Sequence, residues 1–201
     1  MSVFNINHQN ANIDNKIVAG LERISQVFRI LLWEKAKHHK LSPIQIQLLI
    51  FIHNHSLKNA TISYLAKEFD ITKATISDSI KILEQKQLIS KISDNKDARS
   101  YQIQLSEQGI QAVNEIENFA KPITDIIETF PITDKLVMWQ NIHNLINQLH
   151  KMDIISTQRT CFNCQHYSKM GKSHFCQLLN QKLQNQDIRI DCNEFESLRI
   201  I

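Results

Sequence analysis

The sequence predicts a mainly α-helical protein that contains a single short β-hairpin ahead of its cysteine-rich end. The chain has 3 glycines and 3 prolines among 201 residues, which argues against a loop-rich β fold. Apolar residues recur every three or four positions over most of its length, which is typical of amphipathic helices. With 42% hydrophobic residues, the chain is large enough for one domain of ordinary size and a small appendage.

The first predicted helix spans residues 13–38. Its apolar positions follow helical spacing and are Ile17, Leu21, Ile24, Val27, Phe28 and Leu31. Ser42 as N-cap and Pro43 at the first helical position predict the start of a second helix, which runs to about Asn54.

Two short helices and an alternating segment follow. Thr61 is the expected N-cap of a helix over residues 62–69, and Thr72 is the expected N-cap of a helix over residues 73–86. Apolar and polar residues then alternate over 88–93 and 101–105, on either side of a charged turn, which predicts two antiparallel strands. This order of elements predicts a winged helix-turn-helix with a two-stranded β wing.

Two longer helices complete the helical part. Ser106 opens a fifth helix, which we expect Pro122 to kink, and Thr133 is the expected N-cap of the last one. The first, fifth and last helices carry more apolar surface than a small winged helix can bury, which predicts a homodimer built from them. The predicted divisions are an N-terminal dimerisation helix (1–40), the winged helix-turn-helix (41–105), dimerisation helices (106–155) and a cysteine-rich tail (156–201).

Six segments carry a resemblance to a known family. They are residues 41–45 (LSPIQ), 62–66 (ISYLA), 71–77 (ITKATIS), 83–89 (LEQKQLI), 97–100 (DARS) and 105–109 (LSEQG). In this order they resemble MarR-type winged-helix transcription regulators over roughly residues 13–150. The resemblance implies binding of a pseudo-palindromic double-stranded DNA operator by a homodimer, usually as a repressor, and it permits a small-molecule effector between the dimer helices.

The expected DNA contacts lie on the fourth helix and the hairpin. Ile76, Ile80 and Leu83 should face the core, so that the polar side of the helix can enter a major groove, while Arg99 can reach a minor groove. The resemblance implies that Asp97 orients Arg99. The full set is Thr72, Lys73, Thr75, Ser77, Lys81, Lys91, Lys96, Asp97 and Arg99.

Two positions depart from the family pattern. Gln87 stands where the family usually has glycine before the wing, so the turn there is expected to differ. Asp78 stands where many relatives carry a basic residue. Because a carboxylate can accept from a cytosine amino group but repels phosphate, this position bears on base preference.

All four cysteines of the chain fall within residues 161–201, at Cys161, Cys164, Cys176 and Cys192. Their number matches a complete metal-ligand set, and so short a tail could not fold by apolar burial alone. One C-x-x-C pair with two lone cysteines favours an iron–sulfur cluster, either 4Fe–4S or 2Fe–2S. A tetrahedral zinc ion is the alternative, and redox-active or free thiols are a third.

Four histidines lie near the cysteines or at a helix end. His166 and His174 lie near the cysteines and could replace a ligand, although a solvated or supporting role is favoured. His53 and His55, at a helix end, are interpreted as surface residues.

The sequence therefore predicts a regulator whose operator binding is modulated by an iron–sulfur cluster. The tail would act by shifting the last helix and hence the spacing of the two recognition helices. The alternative is a regulator with a structural or sensory zinc and a phenolic or aromatic ligand between the dimer helices. An enzyme is not expected, because four thiolates would leave zinc no open position. Without a signal peptide or an apolar run of about 18 residues, a cytoplasmic location is expected.

Overall fold

The computed structural model describes residues 2–94, 97–155, 159–171 and 173–197; the side chains of residues 93–100 and 170 are outside this description. Within these limits the helices are α1 (Ile6–Ala11), α2 (Ile13–His39), α3 (Pro43–Asn54), α4 (Ile62–Glu68), α5 (Lys73–Gln85), α6 (Glu107–Ile116), α7 (Lys121–Glu128) and α8 (Ile132–Lys151). The strands are β1 (Ile89–Asp94), β2 (Asp97–Leu105), β3 (Tyr167–Met170), β4 (Ser173–Cys176) and β5 (Gln181–Leu183). The order of α3 to β2 is that of the predicted winged helix.

Side-chain caps fix where the first winged-helix elements begin. The Ser42 hydroxyl accepts from the Gln45 backbone N–H at 3.3 Å, and the Gln45 side chain accepts from the Ser42 N–H at 2.9 Å. Thr61 and Thr72 cap α4 and α5 in the same way, each accepting from a backbone N–H three residues later. Since each cap satisfies donors that the helix itself leaves free, these three starts follow the sequence prediction.

One hydrophobic core joins the helix-turn-helix to the wing. Its largest fully buried apolar side chains come from α3, α4, α5, β2 and α6, and they are Ile46, Leu48, Leu49, Leu65, Ile76, Ile80, Leu83, Ile103, Val113 and Ile116. The predicted inward face of α5 is therefore confirmed. Strands β1 and β2 pair antiparallel, with Ile89 opposite Leu105.

The base of the wing lies directly against the start of α6. A Cβ atom built on Gly109 would lie 2.0 Å from the Leu88 carbonyl oxygen, so only glycine allows this approach. The Ser106 backbone N–H donates to the same oxygen at 3.1 Å. The wing and α6 are thus held in a fixed relation.

The region around Pro122 differs from the prediction. Helix α6 ends at Ile116, a 3₁₀ turn with a non-helical Asn118 follows, and α7 begins at Lys121. Pro122 lies in the first turn of α7, where its missing N–H costs nothing. The break therefore precedes the proline, and Pro122 starts a new helix instead of kinking a continuous one.

The predicted cap of the last helix is wrong by two residues. Helix α8 begins at Ile132, and Pro131, in extended conformation, takes the N-cap position. Thr133 lies inside the first turn, and its hydroxyl donates to the Asp134 carboxylate at 3.2 Å. Proline fixes its own φ near the value needed here, so the helix starts without a hydroxyl cap.

The tail forms a small domain that rests on α8. Strands β3, β4 and β5 make an antiparallel sheet, which the sequence analysis did not predict. The Trp139 indole N–H donates to the Asn185 carbonyl at 3.1 Å, and the His143 ring bonds the Thr160 hydroxyl at 2.7 Å. Across the described parts of the chain, none of the helices combines the length and apolarity needed to span a bilayer.

Candidate functional site

The outer face of α5 is polar and exposed. The expected contact residues on this helix are all exposed, as is the departing Asp78, and they are Thr72, Lys73, Thr75, Ser77 and Lys81. At its start the Thr72 hydroxyl accepts from the Thr75 N–H at 3.1 Å and bonds the Thr75 hydroxyl at 2.9 Å. The structure therefore gathers these residues on one accessible helix surface.

The structure describes only some of the hairpin residues that are expected to contact DNA. Lys91 Nζ lies 2.5 Å from the Glu84 carboxylate of α5 and 5.0 Å from the centroid of the Tyr101 ring. The hydrogen bond to Glu84 is the main cause that raises the pKa of Lys91. Part of this charge is thus already balanced inside the chain. Lys96 and the side chains of Asp97 and Arg99 lie outside the described residues, so their roles stay predictions.

Gln87 keeps the backbone shape that glycine usually provides. Its φ of 59° lies in the left-handed region, and its carbonyl accepts from the Ser106 hydroxyl at 2.6 Å. A residue with a Cβ is strained in this conformation. The departure from the family pattern therefore leaves the turn into β1 in place at a local cost.

The four cysteines of the tail lie around one cavity of about 290 Å³. Cys161 and Cys164 bound a 3₁₀ turn, Cys176 ends β4, and Cys192 lies beyond the 3₁₀ turn Asn185–Asp187. None of the four forms a disulfide. The remaining lining combines the apolar side chains of Tyr167, Leu178, Leu179 and Leu183 with polar and charged ones, which are His166, Gln181, Asp187, Arg189 and Glu194. The folded tail thus brings together the ligand set that the sequence singled out.

Arg189 supplies positive charge at this cavity. Its backbone N–H donates to Cys161 Sγ at 3.3 Å, and its guanidinium donates to Cys192 Sγ at 3.5 Å. Burial raises the pKa of the Cys161 thiol, and the nearby charges of the other three cysteines raise it further, while the Arg189 N–H lowers it. The pKa of Cys161 is raised overall, and the Arg189 N–H offsets only part of the cost of forming its thiolate.

Four thiols are ligands of the chemical type that either a zinc ion or an iron–sulfur cluster takes. A single zinc would need the sulfurs about 2.3 Å from one point. In the part of the chain that the structure describes, no group of three or more His, Cys, Asp or Glu side chains is placed to hold one ion. The cavity has the volume of several water molecules, at roughly 30 Å³ each.

The two nearby histidines differ in their surroundings. His174 uses both ring nitrogens, with Tyr167 Oη at 2.6 Å from Nδ1 and Asn185 Oδ1 at 3.1 Å from Nε2. His166 lines the cysteine cavity. Its Nε2 lies 3.6 Å from the Glu196 carboxylate and makes no hydrogen bond within the described residues. Of these two, His166 is the one with a ring nitrogen available.

A buried arginine joins the tail to the helix-turn-helix, and no local sequence pattern predicts this contact. The Arg159 side chain is 7% exposed. It donates to both Asp191 carboxylate oxygens, at 2.6 and 2.8 Å, and to Tyr64 Oη at 3.1 Å. It also holds both oxygens of Glu68, the last residue of α4. Burial lowers the pKa of Arg159, but these hydrogen bonds outweigh it and keep the guanidinium charged.

The interpretation of His55 as a surface residue is wrong. Its side chain is 13% exposed, and its ring stacks on Phe51 with centroids 3.9 Å apart. Nδ1 lies 2.8 Å from the Phe51 carbonyl and Nε2 lies 2.9 Å from Asp191 Oδ2. Burial lowers the pKa of His55, but the hydrogen bond to Asp191 and then the one to Phe51 raise it overall. His53 is exposed, as predicted.

Comparison with known proteins supports this architecture. The model of the MarR family matches residues 39–100. The winged helix is MarR-like. A curated relative, the HTH-type transcriptional regulator BilQ of Clostridioides difficile, is 27% identical over 117 residues, which are 58% of this chain and 78% of BilQ.

Solved structures agree with the MarR-like fold. The chain is similar to MepR of S. aureus in its DNA complex, with 22% identity, a TM-score of 0.58 and coverage of 66% of this chain and 97% of MepR. FabT of Streptococcus pneumoniae, also solved with DNA, gives 22% identity, a TM-score of 0.58 and coverage of 68% and 97%. At these identities the likeness shows the mainly helical winged-helix fold.

Proposed function

We propose that the protein is a DNA-binding transcriptional regulator of the MarR family that places α5 in the major groove of a pseudo-palindromic operator. The observation that carries this is the exposed polar face of α5 within a MarR-like winged helix. The family match favours a regulator over an enzyme. Repression is the expected mode.

A homodimer follows from the apolar surface outside the winged helix. Large exposed apolar side chains lie on α2, α7 and α8, and they include Ile17, Leu21, Ile24, Val27, Phe28, Ile30, Trp33, Ile126, Ile127, Leu136, Val137, Met138, Ile142 and Leu145. Large exposed apolar side chains in this number are typical of a subunit interface. A two-fold dimer would set two α5 helices about one DNA turn apart, roughly 34 Å.

The DNA proposal is tested with a duplex selected from a random library by the purified protein. We expect Lys73→Ala to weaken binding across sequences and to reduce the salt slope by about one. Lys121→Ala, an exposed lysine of α7 paired with Asp125, is the matched control. Selection that returns no enriched sequence, or equal effects of the two variants, would contradict the proposal.

The tail is proposed to hold an iron–sulfur cluster on Cys161, Cys164, Cys176 and Cys192, and to make operator affinity depend on it. The shared cavity of about 290 Å³ and the donor Arg189 support this. When bound, a cluster supplies a redox-sensitive group and adds folding energy to a small domain. The chain's part is to provide the thiolates, to exclude solvent with its apolar lining and to balance charge with Arg189.

Operator affinity of the loaded and stripped protein tests this part. We expect the loaded protein to bind the selected duplex about tenfold more tightly, a typical coupling between two sites. Equal affinities of the loaded and stripped protein would mean that the protein binds DNA independently of its tail. Zinc, with an aromatic or phenolic effector between the dimer helices, remains the alternative and would appear as zinc in the purified protein.

A further inference from the structure

Two tail residues next to the cysteines reach into the helix-turn-helix of the same chain. Arg159 lies two positions before Cys161, and Asp191 immediately precedes Cys192. The Cys161 backbone N–H donates to the Arg189 carbonyl at 3.2 Å, which holds these two segments side by side. The fold around the cysteines therefore determines where Arg159 and Asp191 lie.

Their partners lie at the end of the helix that precedes the recognition helix. Glu68 is the last residue of α4, and Thr72, four positions later, caps α5. Tyr64 of α4 and His55, just after α3, complete the set. We call these five residues, Arg159, Asp191, Glu68, Tyr64 and His55, the clasp.

The clasp also bears on the aromatic packing under the turn. The Arg159 guanidinium lies 5.1 Å from the centroid of the Phe51 ring. Phe51 in turn packs edge-on against Phe69, which begins the turn between α4 and α5, with centroids 5.8 Å apart. A displacement of Arg159 would therefore disturb the packing of Phe51 on Phe69, at the turn that orients α5.

The charges make the clasp a two-state contact. The side chains of Arg159 and Glu68 are 7% and 16% exposed, so neither is well solvated while the tail is docked. A buried charge that loses its partner carries a large penalty, so Arg159 and Glu68 either stay paired or separate into water together. By contrast, the hydrogen bonds of the tail with α8, through Trp139 and His143, involve no carboxylate, and the His143 ring packs on Phe162 with centroids 4.6 Å apart.

We propose that the tail controls operator binding through the clasp: the ordered cysteine site docks Arg159 on Glu68 and so fixes α4 and the turn into α5 of its own chain. This inference rests on the proposed function of the tail. It places the route within one protomer instead of through α8 and the dimer interface. Loss of order at the site releases Arg159 and Asp191 together and leaves the recognition helix less fixed.

The test uses the full-length protein, loaded under anaerobic conditions and stripped with a chelator and reductant. Hydrogen–deuterium exchange of residues 62–72 and affinity for the selected duplex are measured for wild type, Glu68→Gln and Tyr64→Phe. Tyr64→Phe removes one acceptor of Arg159 and keeps the ring in place, so it serves if Glu68→Gln folds poorly. Glu117→Gln, an exposed glutamate in the turn before α7, is the matched control. Iron or zinc per chain is determined in every sample.

In wild type and Glu117→Gln, we expect stripping to speed exchange at 62–72 and to weaken duplex binding about tenfold. In Glu68→Gln, the loaded protein should already exchange fast, and stripping should change affinity by less than about twofold. Tyr64→Phe should fall between the two.

A Glu68→Gln protein that binds normal metal and keeps the full wild-type response would overturn the inference and leave the proposed function standing. Wild-type affinity that does not respond to stripping would refute the dependence on the tail, and the inference with it.

Discussion

Arg159 and Glu68 lie 91 residues apart in the sequence and form a two-point ion pair beneath the helix-turn-helix. Each guanidinium NH₂ group donates to one Glu68 oxygen, while the Nε side of Arg159 holds Asp191. Planar, two-point recognition of carboxylates is the geometry in which arginine differs most from lysine. The tail is therefore attached to the winged helix by a specific contact and not by a loose apolar surface.

Removal of this arginine should destabilise the protein strongly. In Arg159→Ala, Glu68 and Asp191 would face each other without the intervening cation, and we expect a loss of about 3 kcal/mol in the free energy of unfolding. Urea denaturation followed by tryptophan fluorescence measures it. Arg29→Ala is the control, because Arg29 is 63% exposed and pairs with Glu22 at 3.4 Å, and we expect a change within about 0.5 kcal/mol. Equal losses would show that burial of the pair is irrelevant.

Glycine substitutions should act in opposite directions. Gly109→Ala places a Cβ against the Leu88 carbonyl, whose oxygen cannot move without shifting the wing, so a loss of about 2 kcal/mol is expected. Gly20→Ala in α2 meets nothing within 4 Å, and helix propensity predicts a gain of about 0.8 kcal/mol. Thermal or urea unfolding of the two variants measures the loss of stability in one and the gain in the other. A Gly109→Ala protein as stable as wild type would mean that α6 and the wing are not in contact.

The His55 ring should make docking of the tail depend on pH. Nδ1 faces the Phe51 carbonyl, while Nε2 faces the Asp191 carboxylate at 2.9 Å and the Arg159 guanidinium at 3.3 Å, so the protonated ring donates to both acceptors and the neutral ring to one. Its pKa is raised in the folded protein. The stability from this proton is therefore fully present below the unfolded pKa, about 6.5, and is lost as pH rises through the folded pKa.

The difference between wild type and His55→Gln isolates this contribution. Free energies of unfolding measured from pH 5.5 to 8.5 should show the wild-type advantage shrinking as pH rises. His53→Gln, an exposed histidine two positions away, should follow wild type throughout. An advantage that grows with pH would mean that His55 is neutral in the fold.

Arg189 should set how tightly the cysteine site holds its metal. Arg189→Leu removes the guanidinium that donates to Cys192 Sγ and keeps the backbone N–H that donates to Cys161, and we expect metal affinity to fall about tenfold. Competition with a chelator under anaerobic conditions measures this affinity. Lys182→Leu removes a charge from the exposed side of β5 and should leave affinity unchanged. Equal metal affinities of the two variants would show that Arg189 has no part in holding the metal.

The sequence predicted most helices correctly because helix caps and apolar spacing depend only on residues a few positions apart. The caps Ser42, Thr61 and Thr72 act over three residues, and the apolar period of α5 showed which face is buried. The cap of α8 was wrong because a threonine close to a helix start looks like an N-cap, while Pro131 already provides the needed conformation. The sheet of β3 to β5 was missed because its strands have three or four residues, too few for a clear alternation.

The site was predicted only as far as residue type allowed. The number of cysteines in the tail predicted a shared site, and the structure places all four at one cavity. The contacts of His55 and Glu68 gave no such signal, since their partners Asp191 and Arg159 are 136 and 91 positions away. A charged residue that is buried by a distant segment looks, in the sequence, like any exposed charge.

Metal and sulfide content of the protein purified without oxygen tests the central claim most directly. We expect a coloured protein with iron and acid-labile sulfide in similar amounts, and a large loss of both in Cys176→Ser. Ser168→Ala, a change in the neighbouring strand β3, should keep them. A colourless protein without iron or sulfide, whether it carries zinc or no metal, would contradict the cluster proposal.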